Sequence, residues 1–135
     1  MSTTIKSAFE VTAWLPTPYD EPEQGPKLSR ITVKKIFRGN IEAESTAELL
    51  MCQSDDGSAG YVATERVTGR IRDRSGSFVI QHGGALVDNS PSDAFGYIVP
   101  GSGTGDLKGL LGKCSWYHDE HEATFTLDYE LIPSL

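Results

Sequence analysis

Apolar residues recur at every second position along most of this chain. Ile5, Ser7, Phe9, Val11 and Ala13 alternate with Lys6, Ala8, Glu10 and Thr12. Ile31, Val33, Lys35 and Phe37 share a second face. Ile41, Ala43, Ser45, Ala47, Leu49 and Met51 alternate with Glu42, Glu44, Thr46 and Glu48. Tyr61, Ala63, Glu65, Val67 and Ile71 form another such face, with Val62, Thr64, Arg66, Thr68, Arg70 and Arg72 opposite. A period of two is the signature of half-buried strands, not of helices. Further strands are predicted over residues 77–83, 94–99, 112–117 and 122–131, the last with Phe125, Leu127, Tyr129 and Leu131 facing in.

The punctuation agrees. Gly39-Asn40 turns the chain, and Asp55-Asp56-Gly57 suits a three-residue hairpin with glycine in the left-handed position. Arg74-Ser75-Gly76 predicts another turn. Pro16, Pro18, Pro22 and Pro26 predict a surface loop at about 16–27. Roughly eight strands joined by short turns, with no major helix, indicate an all-β, eight-stranded antiparallel barrel. Residues 1–135 are expected to form it as a single domain. A barrel of that size either fills its lumen with side chains or holds one small ligand.

Composition narrows the partners. Twelve basic and 19 acidic residues give a formal net charge of −7, which disfavours nucleic acid and anionic membrane surfaces. No apolar run reaches the roughly 20 residues of a membrane span, and the polar start Met1-Ser2-Thr3-Thr4-Ile5-Lys6 shows no signal peptide. A cytoplasmic location is expected on those grounds. The two cysteines, Cys52 and Cys114, read as free thiols rather than a disulfide.

Five glycines fall between Gly101 and Gly112, yet the spacing fits neither nucleotide motif. The dinucleotide fingerprint fails at Asp106. The P-loop fails because Gly112-Lys113 is followed by Cys114. No cofactor is expected. The glycines are instead expected to let a loop turn sharply and re-enter the barrel at Gly112.

Several segments resemble an uncharacterised bacterial family of domains of unknown function. They are Gly57-Ser-Ala-Gly-Tyr-Val-Ala-Thr-Glu-Arg66, Gly76-Ser-Phe-Val-Ile-Gln-His82 and Val99-Pro-Gly-Ser-Gly-Thr-Gly-Asp-Leu-Lys-Gly109, with Phe9–Trp14 and Ala123–Tyr129 at the two ends. The resemblance covers nearly the whole chain and implies an allene-oxide-cyclase-like barrel. The glycine run is also similar to the G-[GS]-[TG]-G-x-[FL]-x-G-x-x-G run of allene oxide cyclases and dirigent proteins. That likeness is short and implies fold only, so no cyclase activity carries over.

Glu65 is the leading candidate for chemistry. The Asp55-Asp56-Gly57 hairpin sets small Ala47 opposite it and leaves room inside. A buried carboxylate there is either a general base or ligand anchor, or a structural group paired with Lys35 or a tyrosine. Lys35 is either that partner or a rim residue whose head reaches solvent. Only one of Gln81 and His82 can face the lumen, and the pattern does not choose. An inward His82 would make a proton-transfer pair with Glu65; a structural histidine is the plainer alternative. Trp14, Tyr61, Tyr97, Trp116 and Tyr129 would line a pocket for an apolar or aromatic ligand, or simply fill the core. His118-Asp-Glu-His121 lacks helical ligand spacing and a nearby Cys in sequence, so no metal site is expected. Glu42, Glu44 and Glu48 are expected to pair across strands with Arg66, Arg70 and Arg72.

Three functions stay open. The first is a small-molecule-binding barrel in which Glu65, with Lys35, Gln81 or His82, fixes the ligand's polar end. The second is a cofactor-independent isomerase or cyclase with Glu65 moving a proton. The third is a filled barrel acting through its outer face or as a homo-oligomer.

Overall fold

In the computed structural model, residues 2–133 are described. Eight strands follow in order: β1 (Thr3–Asp20), β2 (Lys27–Gly39), β3 (Ile41–Gln53), β4 (Ala59–Ile71), β5 (Arg74–Val87), β6 (Ser90–Ile98), β7 (Leu110–His118) and β8 (Ala123–Leu131). Each pairs antiparallel with the next, and β8 closes on β1, making a closed barrel. Among the described residues a single 3-10 turn, Gly105–Leu107, interrupts the strands. Among the described residues no helix is long and apolar enough to cross a membrane.

The alternation places its apolar positions inside as expected. The hairpin at Asp55–Gly57 sets the β3–β4 register, with Gly57 at φ +86° and Ala47 opposite Glu65. The turn before β5 falls earlier than Arg74: that residue already pairs with Ile71, and Arg72 takes the positive φ of 53°.

Two features of β1 depart from the alternation. Pro16 and Pro18 lie in the strand, opposite Ile31 and Ser29, so only residues 21–26 form the loop. β1 pairs with β8 only from Thr3 to Ala8, so its later half is an edge strand. Proline is tolerated on such an edge where its nitrogen faces away from the ladder. A register shift between Val11 and Ala13 also breaks the alternation, leaving Val11 exposed.

The interior is layered. One end is filled by an apolar cluster that includes Phe37, Val67, Phe78, Phe125, Leu127 and Leu107. The glycine run closes this end. Thr104 N donates to Ser77 O at 2.9 Å, and Leu107 is buried beneath the turn. Gly76 is required here, because a Cβ would strike the Thr104 carbonyl. The chain re-enters at Leu110, two residues before Gly112. Toward the other end lies a smaller cluster of Ile31, Val33, Ala47, Leu49 and Ala63. Between the clusters along their strands sit four buried polar residues: Lys35, Ser45, Glu65 and His82.

The wall is incomplete at the second end. β6 pairs with β7 at Tyr97↔Lys113, and the register of β5 with β6 shifts between Gly83 and Ala85. Such an irregularity bends the strand and re-aims its side chains. Asp93, at φ 54°, adds a second local distortion in β6.

Candidate functional site

A cleft of about 540 Å³ occupies the end where β6 and β7 part; Met51, Tyr61, Gly84, Phe95, Cys114 and Trp116 are among its lining residues. The floor is mostly apolar. Two of these side chains touch the buried polar layer: Tyr61 by a hydrogen bond to His82, and Trp116 by its ring face against Lys35.

Glu65 is the centre of that layer and has no exposure. Its Oε1 accepts from Lys35 Nζ at 3.0 Å and from His82 Nε2 at 2.8 Å. Its Oε2 accepts from Ser45 Oγ at 2.6 Å. Burial pushes the Glu65 carboxyl up, but the His82 hydrogen bond, the Lys35 charge and the Ser45 hydrogen bond together outweigh it. The group is held below the usual carboxylate range and stays ionised. The other imidazole nitrogen, His82 Nδ1, lies 3.0 Å from Tyr61 Oη. A carboxylate, an imidazole and a hydroxyl thus stand in one line. That is the base–orienter geometry of enzymes that move protons through a hydroxyl.

Aromatic rings enclose the line. Trp116 packs against Phe125 with centroids 4.4 Å apart and edge-on against Phe9 at 5.2 Å. Lys35 Nζ sits 3.8 Å from the Trp116 ring centroid, so the ammonium is held between a carboxylate and an indole face. The Trp116 indole N–H is the one buried side-chain polar atom among the described residues without a hydrogen-bond partner. Burial, with the Glu65 charge adding to it against Lys35, pushes the Cys114 thiol up to about 12. It is a neutral thiol at physiological pH, not a nucleophile. Burial likewise raises the Tyr61 phenol, with Glu65 and Cys114 contributing.

The chain matches the family described as "Protein of unknown function (DUF3224)" over residues 5–129. It belongs to the DUF3224 family. A crystal structure of a DUF3224 protein of unknown function from Shewanella oneidensis MR-1 superposes with a TM-score of 0.88 at 33% identity. The match covers 98% of this chain and 100% of that one. No curated protein matches.

In this DUF3224 barrel the expected site residues divide cleanly. Lys35, Tyr61, Glu65, His82 and Trp116 come together. Between Gln81 and His82, the inward residue is His82, which is buried. Gln81 lies on the outer wall, where its Oε1 accepts from Tyr97 Oη at 2.7 Å. Neither Gln81 nor Tyr97 lines the cleft. Tyr129 packs at the filled end, and Trp14 is 51% exposed on the edge strand. Glu48 bonds Arg30 and Thr32 on β2, whereas the register puts it opposite Thr64 on β4, not an arginine. In the β7–β8 turn, Asp119 is taken up by the backbone N–H groups of His121 and Glu122 and by Tyr117 Oη. Two residues outside the expected set join the site: Ser45, on the Glu65 carboxylate, and Cys114, in the cleft wall. Ser45 was readable from its inward parity; a serine among Ala43, Ala47 and Leu49 must find a partner when buried.

Proposed function

We propose that this DUF3224 chain is a binding barrel that holds a small, largely apolar molecule in the cleft between β6 and β7. Tyr61 fixes the polar end of that molecule, and His82, Glu65 and Lys35 hold Tyr61 in place from behind. The reading is carried by one observation: an apolar cleft meets a buried ionic layer through the Tyr61 phenol, which is hydrogen-bonded to His82 and through it to Glu65. The cleft volume falls within the range of small-molecule sites. Kinship with allene-oxide-cyclase-like barrels, suggested by the glycine run, is compatible with a lumen ligand.

A second reading, a cofactor-independent isomerase or cyclase, draws support from the Tyr61–His82–Glu65 line. In it Glu65 is a positioning and charge-stabilising group rather than the base, because both of its oxygens are occupied. Tyr61 and His82 would carry the proton.

The binding reading is tested with N-phenyl-1-naphthylamine, an uncharged dye that brightens in apolar surroundings. The protein should bind it saturably. Gly84 lies in the cleft wall, and a Cβ there makes only ordinary contact, 3.5 Å from Ala94 Cα. Gly84→Leu should therefore fold, fill the cleft and abolish the signal. Absence of saturable binding, or equal binding by a folded Gly84→Leu, would remove the proposal.

A further inference from the structure

We infer that the ligand of this cleft is an apolar molecule carrying an ionisable hydroxyl, a phenol or an enol, and that Tyr61 and His82 take up its proton. The inference rests on the binding reading above and specifies what its polar end must be.

Hydrogen positions follow from the donors and acceptors in the buried layer. The Glu65 carboxylate can only accept, and it takes Ser45 Oγ–H, Lys35 Nζ–H and His82 Nε2. Nε2 therefore carries a hydrogen. Lys35 already balances Glu65, and a second buried cation would stand uncompensated in a poorly solvated interior. Nδ1 is then a lone pair, and Tyr61 Oη–H, 3.0 Å away, donates to it. A phenol has one hydrogen. With that hydrogen committed to His82, Tyr61 offers the cleft an acceptor.

The chemistry of the ligand follows. A ketone or ether placed against Tyr61 meets an oxygen with no hydrogen left to give, so two acceptors face each other. A hydroxyl meets its complement. If that hydroxyl is acidic, the line can relay. The ligand O–H bond breaks, its proton passes to Tyr61 Oη, and the original Tyr61 proton passes to His82 Nδ1. The ligand keeps the electron pair as an oxyanion and accepts a hydrogen bond from Tyr61. The imidazolium so formed lies between Tyr61 and the Glu65 carboxylate. The new positive charge on His82 balances the new negative charge on the ligand, while Lys35 still balances Glu65. The Cys114 thiol, which lines the same cleft, stays neutral.

The test uses 4-nitrophenol, which turns yellow on ionisation, and 4-nitroanisole, its methyl ether, at about one pH unit below the phenol's own pKa. The phenol should bind about tenfold or more tightly than the ether, and the bound phenol should show the anion band. Tyr61→Phe should bring the two probes to equal affinity and remove the band. His82→Gln should keep ether binding and lose the band. Equal affinities for phenol and ether in the unsubstituted protein, or a bound phenol without the anion band, overturns the inference. If the naphthylamine dye binds but neither nitro compound does, the binding reading survives and this inference fails. If none of the three binds, both fail.

Discussion

Lys35→Met is the sharpest perturbation of the buried layer. Lys35 Nζ lies 3.0 Å from Glu65 Oε1 and 3.8 Å from the Trp116 centroid, in a side chain that is 9% exposed. Methionine keeps most of the stem volume, so packing changes little. What disappears is the counter-charge of a carboxylate with no exposure at all. Removing one member of a buried ion pair costs about 3–5 kcal/mol. With a urea m-value of about 2 kcal/mol/M, that loss lowers the unfolding midpoint at neutral pH by about 1.5–2.5 M. The cause is the stranded charge, so removing that charge as well should restore stability. Lys35→Met/Glu65→Gln should be more stable than Lys35→Met alone, with a coupling of about 2 kcal/mol in a double-mutant cycle. The loss in Lys35→Met should also shrink as the pH is lowered and Glu65 takes up a proton. A midpoint shift below about 0.5 M, or a strictly additive double variant, would refute the reasoning and put Lys35 at the rim.

Two further outcomes follow from the same groups. Glu65 is ordinarily near 4.5 and is lowered in the fold, so its contribution is complete above about 4.5 and is lost as the pH falls through the lower folded value. Thermal unfolding followed from pH 6 downward should show a steep acid decline that Glu65→Gln flattens; parallel declines would contradict the assignment. Cys114, pushed from 9.0 to about 12, carries about a thousandfold less thiolate than an unperturbed thiol. Iodoacetamide at pH 8 should therefore label Cys52 and leave Cys114, with both labelled in urea; equal labelling in the folded protein would overturn the burial argument.

The hydrophobic pattern carried the barrel because a two-residue period leaves little freedom once a hairpin is fixed. Gly57 sets the register, and the register sets Ala47 against Glu65. Parity also held information that residue type obscured. Ile98 is buried, so its neighbour Tyr97 has to face out, although an aromatic residue invites the opposite assignment. Gln81 and His82 could not be separated by parity alone because Phe78, Val79 and Ile80 are apolar on both faces. The prolines misled for a different reason. Pro16 and Pro18 punctuate most chains, but an edge strand accepts them, and edges are decided by which strand ends first elsewhere in the barrel. The cleft was illegible for the same reason. It exists because the β6–β7 ladder stops near Tyr97, a property of two strands that no local pattern encodes.

The buried layer does not earn its place through stability. Replacing a buried ionic cluster by well-packed apolar side chains is often neutral or stabilising, by about 1–4 kcal/mol. The strand interior offers that option freely, since Val33, Ala63 and Ile80 flank the polar positions along β2, β4 and β5. What the ionic residues add is direction. Lys35 and Ser45 hold the Glu65 carboxylate, which orients one edge of His82, and the other edge of His82 reaches one side chain of the cleft. Ser45 and Lys35 sit on neighbouring strands, directly opposite in register, so the support behind Glu65 is built into the ladder itself rather than into a mobile loop. A structural carboxylate would need only the partners that neutralise it. Here the chain continues one group further, through an imidazole to a phenol at the cleft, and that extra link is the feature a purely structural role leaves unexplained.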